Sequence, residues 1–316
     1  MTEAAAVPQP PRVLCVTPNP ALDITIPVAA LAVGATNAVG RGSERLGGKG
    51  INCARVLSAN GVQTVAMGPL RTADVPAVAG DEDHLTWWFT PSSAPTRRSI
   101  AVVEESGRVT VLNERGGGHG ADVWDRMLAD VAALLSAGPV DVLTINGSIP
   151  PDAPAALLTD LIALGRDRGS VVVVDTSGES LVDAARAGAD WLKPNEDELI
   201  AVAADGTPEG GVQRLLAEGA RNILVSRGPR GLEVIGAGGR ATASPPAELV
   251  GNPTGAGDAA VAGLAESLVR GDDLAALLRR AVAYSAAAVL VDHAGAIHPD
   301  WTSISSDVII STESES

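Results

Sequence analysis

The sequence predicts an α/β fold: a doubly wound, mostly parallel sheet with helices on both faces and a small β-sheet lid. Three observations carry that prediction. Apolar strand runs alternate with amphipathic helical runs along the chain. One strand run, "SVVVVD" at 170–175, is apolar almost throughout, as a strand covered on both faces must be. Two segments, 23–44 and 96–114, break the alternation with strands and turns but no helix. A chain of 316 residues, 46% of them apolar, can bury one large core, and with only 2% aromatics that core is built of Ala, Val and Leu.

The elements follow in order. "RVLCV" at 12–16 is a buried strand, and "KGINCARVLSANG" at 49–61 is a helix with apolar residues at Ile51, Ala54, Val56 and Leu57, closed by Gly61. The strand "DVLTIN" at 141–146 precedes the helix "APAALLTDLIALGRDRG" at 153–169. "SVVVVD" precedes the short helix "ESLVDAARAG" at 179–188, and "NILVS" at 222–226 is a further strand. The last two helices are "GDAAVAGLAESLVRG" at 257–271 and "DDLAALLRRAVAYSAAAVLV" at 272–291. "VVEESGRVTVLN" at 102–113 is a hairpin turning at Ser106 and Gly107. Together, 23–43 and 96–114 form one β-layer able to cover a site. The domain is expected over 12–303, with frayed tails at 1–11 and 304–316.

A net charge of −15 argues against a nucleic-acid footprint and against binding acidic membranes. It does not exclude an anionic small ligand, which a local cluster of Lys, Arg and amides can hold. Cys15, in the apolar run "VLCV", and Cys53, in the helix at 49–61, show no zinc spacing and are expected as buried free thiols. "MTEAAAVPQPP" lacks the basic and apolar regions of a signal peptide, and "AVAYSAAAVLV" is too short to span a bilayer. A cytoplasmic location is expected.

Four stretches can carry chemistry. "RLGGKGIN" fails as a P-loop, because Ser43 stands where the first glycine is needed and Gly50 where Ser or Thr is needed. It remains either a tight strand-to-helix turn or a turn that brings backbone N–H groups to a ligand. "DWLKPNEDELI" sets Asn195 and Glu198 one helical turn apart: a capped surface helix, or an amide and a carboxylate facing a hydrated Mg²⁺. "VSRGPRGLEV" is a strand, a glycine turn and a strand, either a plain hairpin or a flat surface for a nucleotide. "NPTGAGD" places Gly255, Ala256, Gly257 and Asp258 at the mouth of a helix. Such a nest binds an anion, and a carboxylate in the first turn could take a proton beside it. "GAGDAA" also fits a loose dinucleotide fingerprint, but it falls near the C-terminus rather than after the first strand.

Taken together and in this order, "TPNPALD" (17–23), "GGKGIN" (47–52), "LKPNEDEL" (192–199) and "NPTGAGD" (252–258) resemble the PfkB, or ribokinase-like, carbohydrate kinases over residues 12 to 298. They resemble most its phosphosugar branch of 1-phosphofructokinase, tagatose-6-phosphate kinase and the minor 6-phosphofructokinase, as does "NGSIPP" (146–151). The resemblance implies ATP as phosphoryl donor, Mg²⁺ as cofactor and a ketohexose phosphate as acceptor, with D-fructose 1-phosphate preferred. It implies Asp258 as catalytic base and Gly255, Ala256 and Gly257 as anion hole. Asp23 would hold sugar hydroxyls, Gly48, Lys49 and Asn52 would contact the sugar phosphate, and Arg97 would bind the phosphate already on the substrate. Ser226, Arg227, Gly228, Pro229, Arg230, Gly231, Lys193, Asn195 and Thr254 would contact ATP, and Asn195 and Glu198 would organise Mg²⁺ through water. A homodimer through the β lid is expected.

Three departures fall on the sugar side. Ser99 stands where the family has Asn, "LNERGG" where it has a proline turn, and "GPLRTADVP" lacks a second glycine pair. They bear on the substrate more than on the chemistry. Tagatose 6-phosphate and fructose 6-phosphate are the nearest alternatives. A Rossmann oxidoreductase and a non-catalytic sugar-phosphate sensor are the remote ones.

Overall fold

The computed structural model describes residues 12–77, 83–247 and 249–313. The elements are β1 (Val13–Val16), β2 (Ala21–Val28), β3 (Ser43–Gly47), α1 (Lys49–Ala59), β4 (Thr64–Arg71), β5 (Leu85–Ser92), β6 (Arg97–Glu104), β7 (Val109–Asn113), α2 (Ala121–Ala137), β8 (Val142–Asn146), α3 (Leu157–Asp167) and β9 (Val171–Asp175). They continue as α4 (Glu179–Arg186), β10 (Trp191–Leu192), α5 (Glu196–Val202), α6 (Pro208–Ala217), β11 (Asn222–Ser226), β12 (Leu232–Gly236), β13 (Gly239–Ser244), α7 (Ala256–Arg270), α8 (Leu274–Val289), α9 (Trp301–Asp307) and β14 (Ile309–Glu313).

Among the described residues, ten strands form one sheet in the order β14-β13-β12-β11-β10-β9-β8-β1-β4-β5. From β11 to β5 every pairing is parallel, and β12, β13 and β14 add an antiparallel edge. Strand β1 shows why the sheet is doubly wound. Its side chains alternate, and every one of them is apolar and buried. Leu14 and Val16 point into a core shared with Met127, Leu161, Val182 and Leu215 of α2, α3, α4 and α6. Val13 and Cys15 point into a second core with Val56, Leu264 and Val282 of α1, α7 and α8. Cys15 and Cys53 are free and buried, as expected.

The small sheet has the order β3-β2-β6-β7, with β2 and β6 parallel. It is built from the two helix-free segments. The hairpin turn has the expected place: the Gly107 N–H donates to the Glu104 carbonyl at 2.8 Å, with φ of 84° at Gly107.

The expected frayed C-terminus is corrected over 304–313. Residues Trp301–Asp307 are helical, and Ile309–Glu313 pair with β13 as a strand. Val308 is buried, and Arg279 donates to its carbonyl at 2.7 Å. The polar string "SSDVIIST" hid this, because only Val308 and Ile310 face the core. The N-terminal tail lies outside the described residues. Strands β4 and β5 and helix α2 lie in stretches to which the apolar pattern assigns no element.

A chain ending at Asp307 should therefore lose stability, not merely length. Burying one Val is worth about 1.5–3 kcal/mol, so the melting temperature should fall by about 3 °C or more. An unchanged melting curve would show that β14 adds nothing to the fold.

Candidate active site

Chain order reverses direction at β1: β4 and β5 lie on one side, β8 and β9 on the other. In open α/β sheets the crevice beyond the carboxyl ends of strands at such a point is where ligands bind. Here a cavity of about 860 Å³ opens there, lined by Asp23, Gly48, Lys49, Asn52, Arg97 and Asp258 among others. A second cavity of about 450 Å³ lies beside it, lined by the turn residues Ser226, Gly228, Pro229 and Gly231 and by Val282 and Val289 of α8.

The N-terminus of α7 divides the two. Gly255 and Asp258 face the first cavity, while Ala256 and Gly257 face the second. Gly255 has φ of 88°, and a side chain there would come within 2.7 Å of Ala294 Cβ. Glycine is thus required twice over, by conformation and by space. The Ala256 N–H turns back to the Pro253 carbonyl at 3.2 Å, so Ala256 does not offer its N–H to the nest as expected. The N–H groups of Gly257 and Asp258 are among those a helix cannot satisfy itself, and they carry the dipole's positive end.

Asp258 is buried, and Asn52 Nδ2 donates to its Oδ2 at 2.9 Å. Burial pushes its pKa up to about 7, and the nearby Asp175 carboxylate pushes the same way against Lys49, Asn52 and Lys193. A carboxyl poised there can accept a proton near neutral pH. Lys49 Nζ sits 2.9 Å from Asp175 Oδ1 and 3.5 Å from Glu198 Oε1. Burial opposes its charge, but the carboxylates of Asp175, Glu198 and Asp258 outweigh that and raise its pKa.

The lid supplies the other wall. Asp23 pairs with Ser99 across β2 and β6, and both line the first cavity. Gly47 lets the Asp23 carboxylate lie flat on β3, since a Cβ there would overlap it. Burial raises the Asp23 pKa, with Arg97, Asn52, Arg45 and the Gly48 N–H opposing. Strand alternation separates Arg97 from its neighbour Arg98 on β6. Arg97 lines the cavity, with its Nε donating to the Asn19 carbonyl at 3.0 Å. Arg98 turns outward, with its Nε donating to Glu114 at 2.9 Å.

On the other side the picture changes in several places. The Ser226–Gly231 turn lines the second cavity through Ser226, Gly228, Pro229 and Gly231. The guanidinium groups of Arg227 and Arg230 instead pair with Glu196, and Arg227 also with Glu233. Lys193 is buried and lines neither cavity; its Nζ lies 3.6 Å from Asp175. Thr254 lines the first cavity, not the second. Asn195 and Glu198 form a reciprocal capping box: the Glu198 N–H donates to Asn195 Oδ1 at 2.8 Å, and the Asn195 N–H donates to Glu198 Oε2 at 2.9 Å. The Asn195 oxygen is committed to the cap, and Glu198 has Oε2 on the same cap and Oε1 3.5 Å from Lys49 Nζ, so of this pair only the Glu198 carboxylate has the charge that could help hold a hydrated Mg²⁺. No group of three or more His, Cys, Asp or Glu side chains able to hold a metal ion occurs among the described residues.

Sequence reasoning missed Asp175, Asn19 and Ser148. Asp175 ends the apolar strand β9 at full burial, and a carboxylate at the carboxyl end of a parallel strand was the available signal. Asn19 donates to Ser148 Oγ at 2.8 Å and to the Arg115 carbonyl at 2.9 Å, tying the first loop to the "NGSIPP" loop.

The model of the pfkB family of carbohydrate kinases matches residues 16–302. The chain belongs to that family. It is 32% identical over 288 residues to a 1-phosphofructokinase of Rhodobacter capsulatus, covering 88% of this chain and 90% of that protein. It is 30% identical over 292 residues to the 1-phosphofructokinase of Escherichia coli K12, covering 90% of this chain and 93% of that one. Phosphofructokinase-2 from Escherichia coli, solved in complex with fructose-6-phosphate, superposes with a TM-score of 0.81 at 25% identity, over 94% of this chain and 98% of that one. A possible 1-phosphofructokinase from Thermotoga maritima shares the fold with a TM-score of 0.84 at 24% identity, over 96% of this chain and 99% of that one. The protein is a phosphosugar kinase, a phosphotransferase with an alcohol acceptor, and the family implies ATP use. No helix among the described residues is long and apolar enough to cross a membrane.

The two arginines give a direct test of the first cavity. Each charge-assisted hydrogen bond is worth about 1.5–3 kcal/mol. Arg97→Ala should lower kcat/KM for a sugar phosphate by about 10–100-fold and move the KM for ATP much less, while Arg98→Ala should be mild. Equal effects of the two substitutions would mean that Arg97 is not the phosphate clamp.

Proposed function

We propose that the protein phosphorylates D-fructose 1-phosphate with ATP to give D-fructose 1,6-bisphosphate. The observation that carries this reading is the α7 N-terminus, which presents a glycine nest and a poised carboxyl between a polar cavity and a more apolar one. The apolar cavity, with Val282, Val289 and a flat glycine turn, suits an adenine base. The polar cavity, with Asp23, Lys49, Asn52 and Arg97, suits a phosphorylated sugar. The relatives named 1-phosphofructokinase favour fructose 1-phosphate over the 6-phosphates of fructose and tagatose.

Asp258 takes the proton from the acceptor hydroxyl as that oxygen bonds to the transferred phosphorus. The N–H groups of Gly257 and Asp258 face the phosphoryl oxygens, and ADP leaves with the electron pair of the broken P–O bond. Mg²⁺, when bound, neutralises charge on the donor phosphates. Asp23 orients the sugar hydroxyls, and Arg97 fixes the phosphate already present. The lid excludes water that would otherwise compete as acceptor. The lid also exposes apolar side chains at Val33, Val39 and Leu112, which favours a homodimer through this sheet. Sedimentation of a Leu112→Glu variant tests it: the dimer should dissociate, and an unchanged mass would refute this interface.

A panel of ATP with fructose 1-phosphate, fructose 6-phosphate, tagatose 6-phosphate and unphosphorylated sugars tests the substrate. Fructose 1-phosphate should have the highest kcat/KM, and a preference for any other acceptor refutes the assignment. In the same assay Asp258→Asn should lose about 10²–10⁴-fold in turnover. The wild-type kcat/KM should fall as pH drops below about 7, because a carboxyl whose pKa is raised to that value is protonated there and cannot accept the proton.

A further inference from the structure

We propose that Asp175 is a positioning residue for phosphoryl transfer: its buried carboxylate holds Lys49 and Lys193 beneath the α7 N-terminus and sets the electric field felt by Asp258. This rests on the reading of Asp258 as the base. Asp175 is fully buried at the carboxyl end of β9 and does not line either cavity, so it acts through other residues. One oxygen, Oδ1, serves both lysines, at 2.9 Å from Lys49 Nζ and 3.6 Å from Lys193 Nζ. The other, Oδ2, is buried with no hydrogen-bond partner among the described residues.

That arrangement is costly as a structural device. A buried carboxylate with an unsatisfied oxygen costs stability, and well-packed apolar residues often serve as well as a buried ion pair. It is well suited to positioning. Lys49 starts α1 at the edge of the first cavity, and its ammonium lies between Asp175 and Glu198. Lys193 is drawn under the nest, where a side chain on Gly257 would approach its Nζ to 3.4 Å. The two cations therefore stand behind the same helix mouth that receives the phosphoryl group.

The groups facing Asp258 come from every element around it. Asp175 from β9 repels its negative charge; Lys49 and Asn52 from α1 and Lys193 after β10 favour it. The Cys53 thiol also faces it from α1, and burial keeps that thiol neutral. Removing the carboxylate of Asp175 and removing the ammonium of Lys193 must then move Asp258 in opposite directions. A purely structural role for Asp175 predicts no such opposition.

The test is the pH profile of kcat/KM for wild type, Asp175→Asn and Lys193→Gln. Asp175→Asn should shift the acid limb down by about half a pH unit or more, and Lys193→Gln should shift it up. Acid limbs that stay in place, or that move in the same direction in both variants, overturn the proposal. If Asp175→Asn does not fold, Asp175→Ser takes its place: a lowered limb supports the proposal, and an unmoved or raised limb overturns it. Failure of the underlying reading is visible separately, as near-wild-type turnover by Asp258→Asn.

Discussion

Two carboxylates, Asp175 and Asp258, are buried within reach of the same two lysines. Neither charge could persist there alone, because moving an unpaired carboxylate out of water costs several kcal/mol after relaxation. The rest of the site follows from that constraint. Lys49 must start its helix immediately after the Gly47-Gly48 turn to reach inward. Lys193 must precede Pro194, which fixes an extended backbone where β10 ends. Asp258 must lie in the first turn of α7, where the dipole and Asn52 help carry its negative charge. The balance leaves Asp258 with a proton affinity near neutrality.

The fold exists in the form that allows this convergence. Strands β1, β8 and β9 end side by side; the loops beyond β1 and β8 supply Asn19 and Ser148, and β9 itself ends on Asp175. The lid is an extension of the same logic. Strand β2 starts five residues after β1 ends, so Asp23 is carried directly from the sheet to the cavity wall. Its hairpin spans both cavities: Val109, Val111 and Asn113 line the polar one, and Gly107 touches the apolar one. Alternate residues of β7 face inward, as a strand requires.

The alternation of apolar runs made the doubly wound sheet legible, because a strand buried on both faces cannot disguise itself. The "NPTGAGD" and "GGKGIN" turns were legible for a related reason: glycines before a helix have few uses other than close backbone approach. What escaped was set by tertiary packing. Asp175 looks in the sequence like the polar end of any strand, and only the three-dimensional meeting with Lys49 and Lys193 gives it a role. Arg227 and Arg230 look like ligands for phosphate, yet Glu196 and Glu233, distant from one another in sequence, claim them first. Asn195 could be read as helix cap or metal organiser, and the reciprocal bonds with Glu198 show the cap. The tail from 304 reads as polar and frayed, but the exposed edge of β13 takes it up as a strand.

The central claim is that the α7 N-terminus separates donor from acceptor and puts Asp258 at the acceptor's hydroxyl. The most direct measurement is a crystal structure of the enzyme with fructose 1-phosphate and a non-hydrolysable ATP analogue. The acceptor hydroxyl oxygen should lie within about 2.6–3.2 Å of an Asp258 oxygen, with the adenine against Val282 and Val289 and the terminal phosphate at the Gly257 and Asp258 N–H groups. A nucleotide seated in the polar cavity, or an acceptor hydroxyl held by another side chain with Asp258 out of reach, would contradict the account.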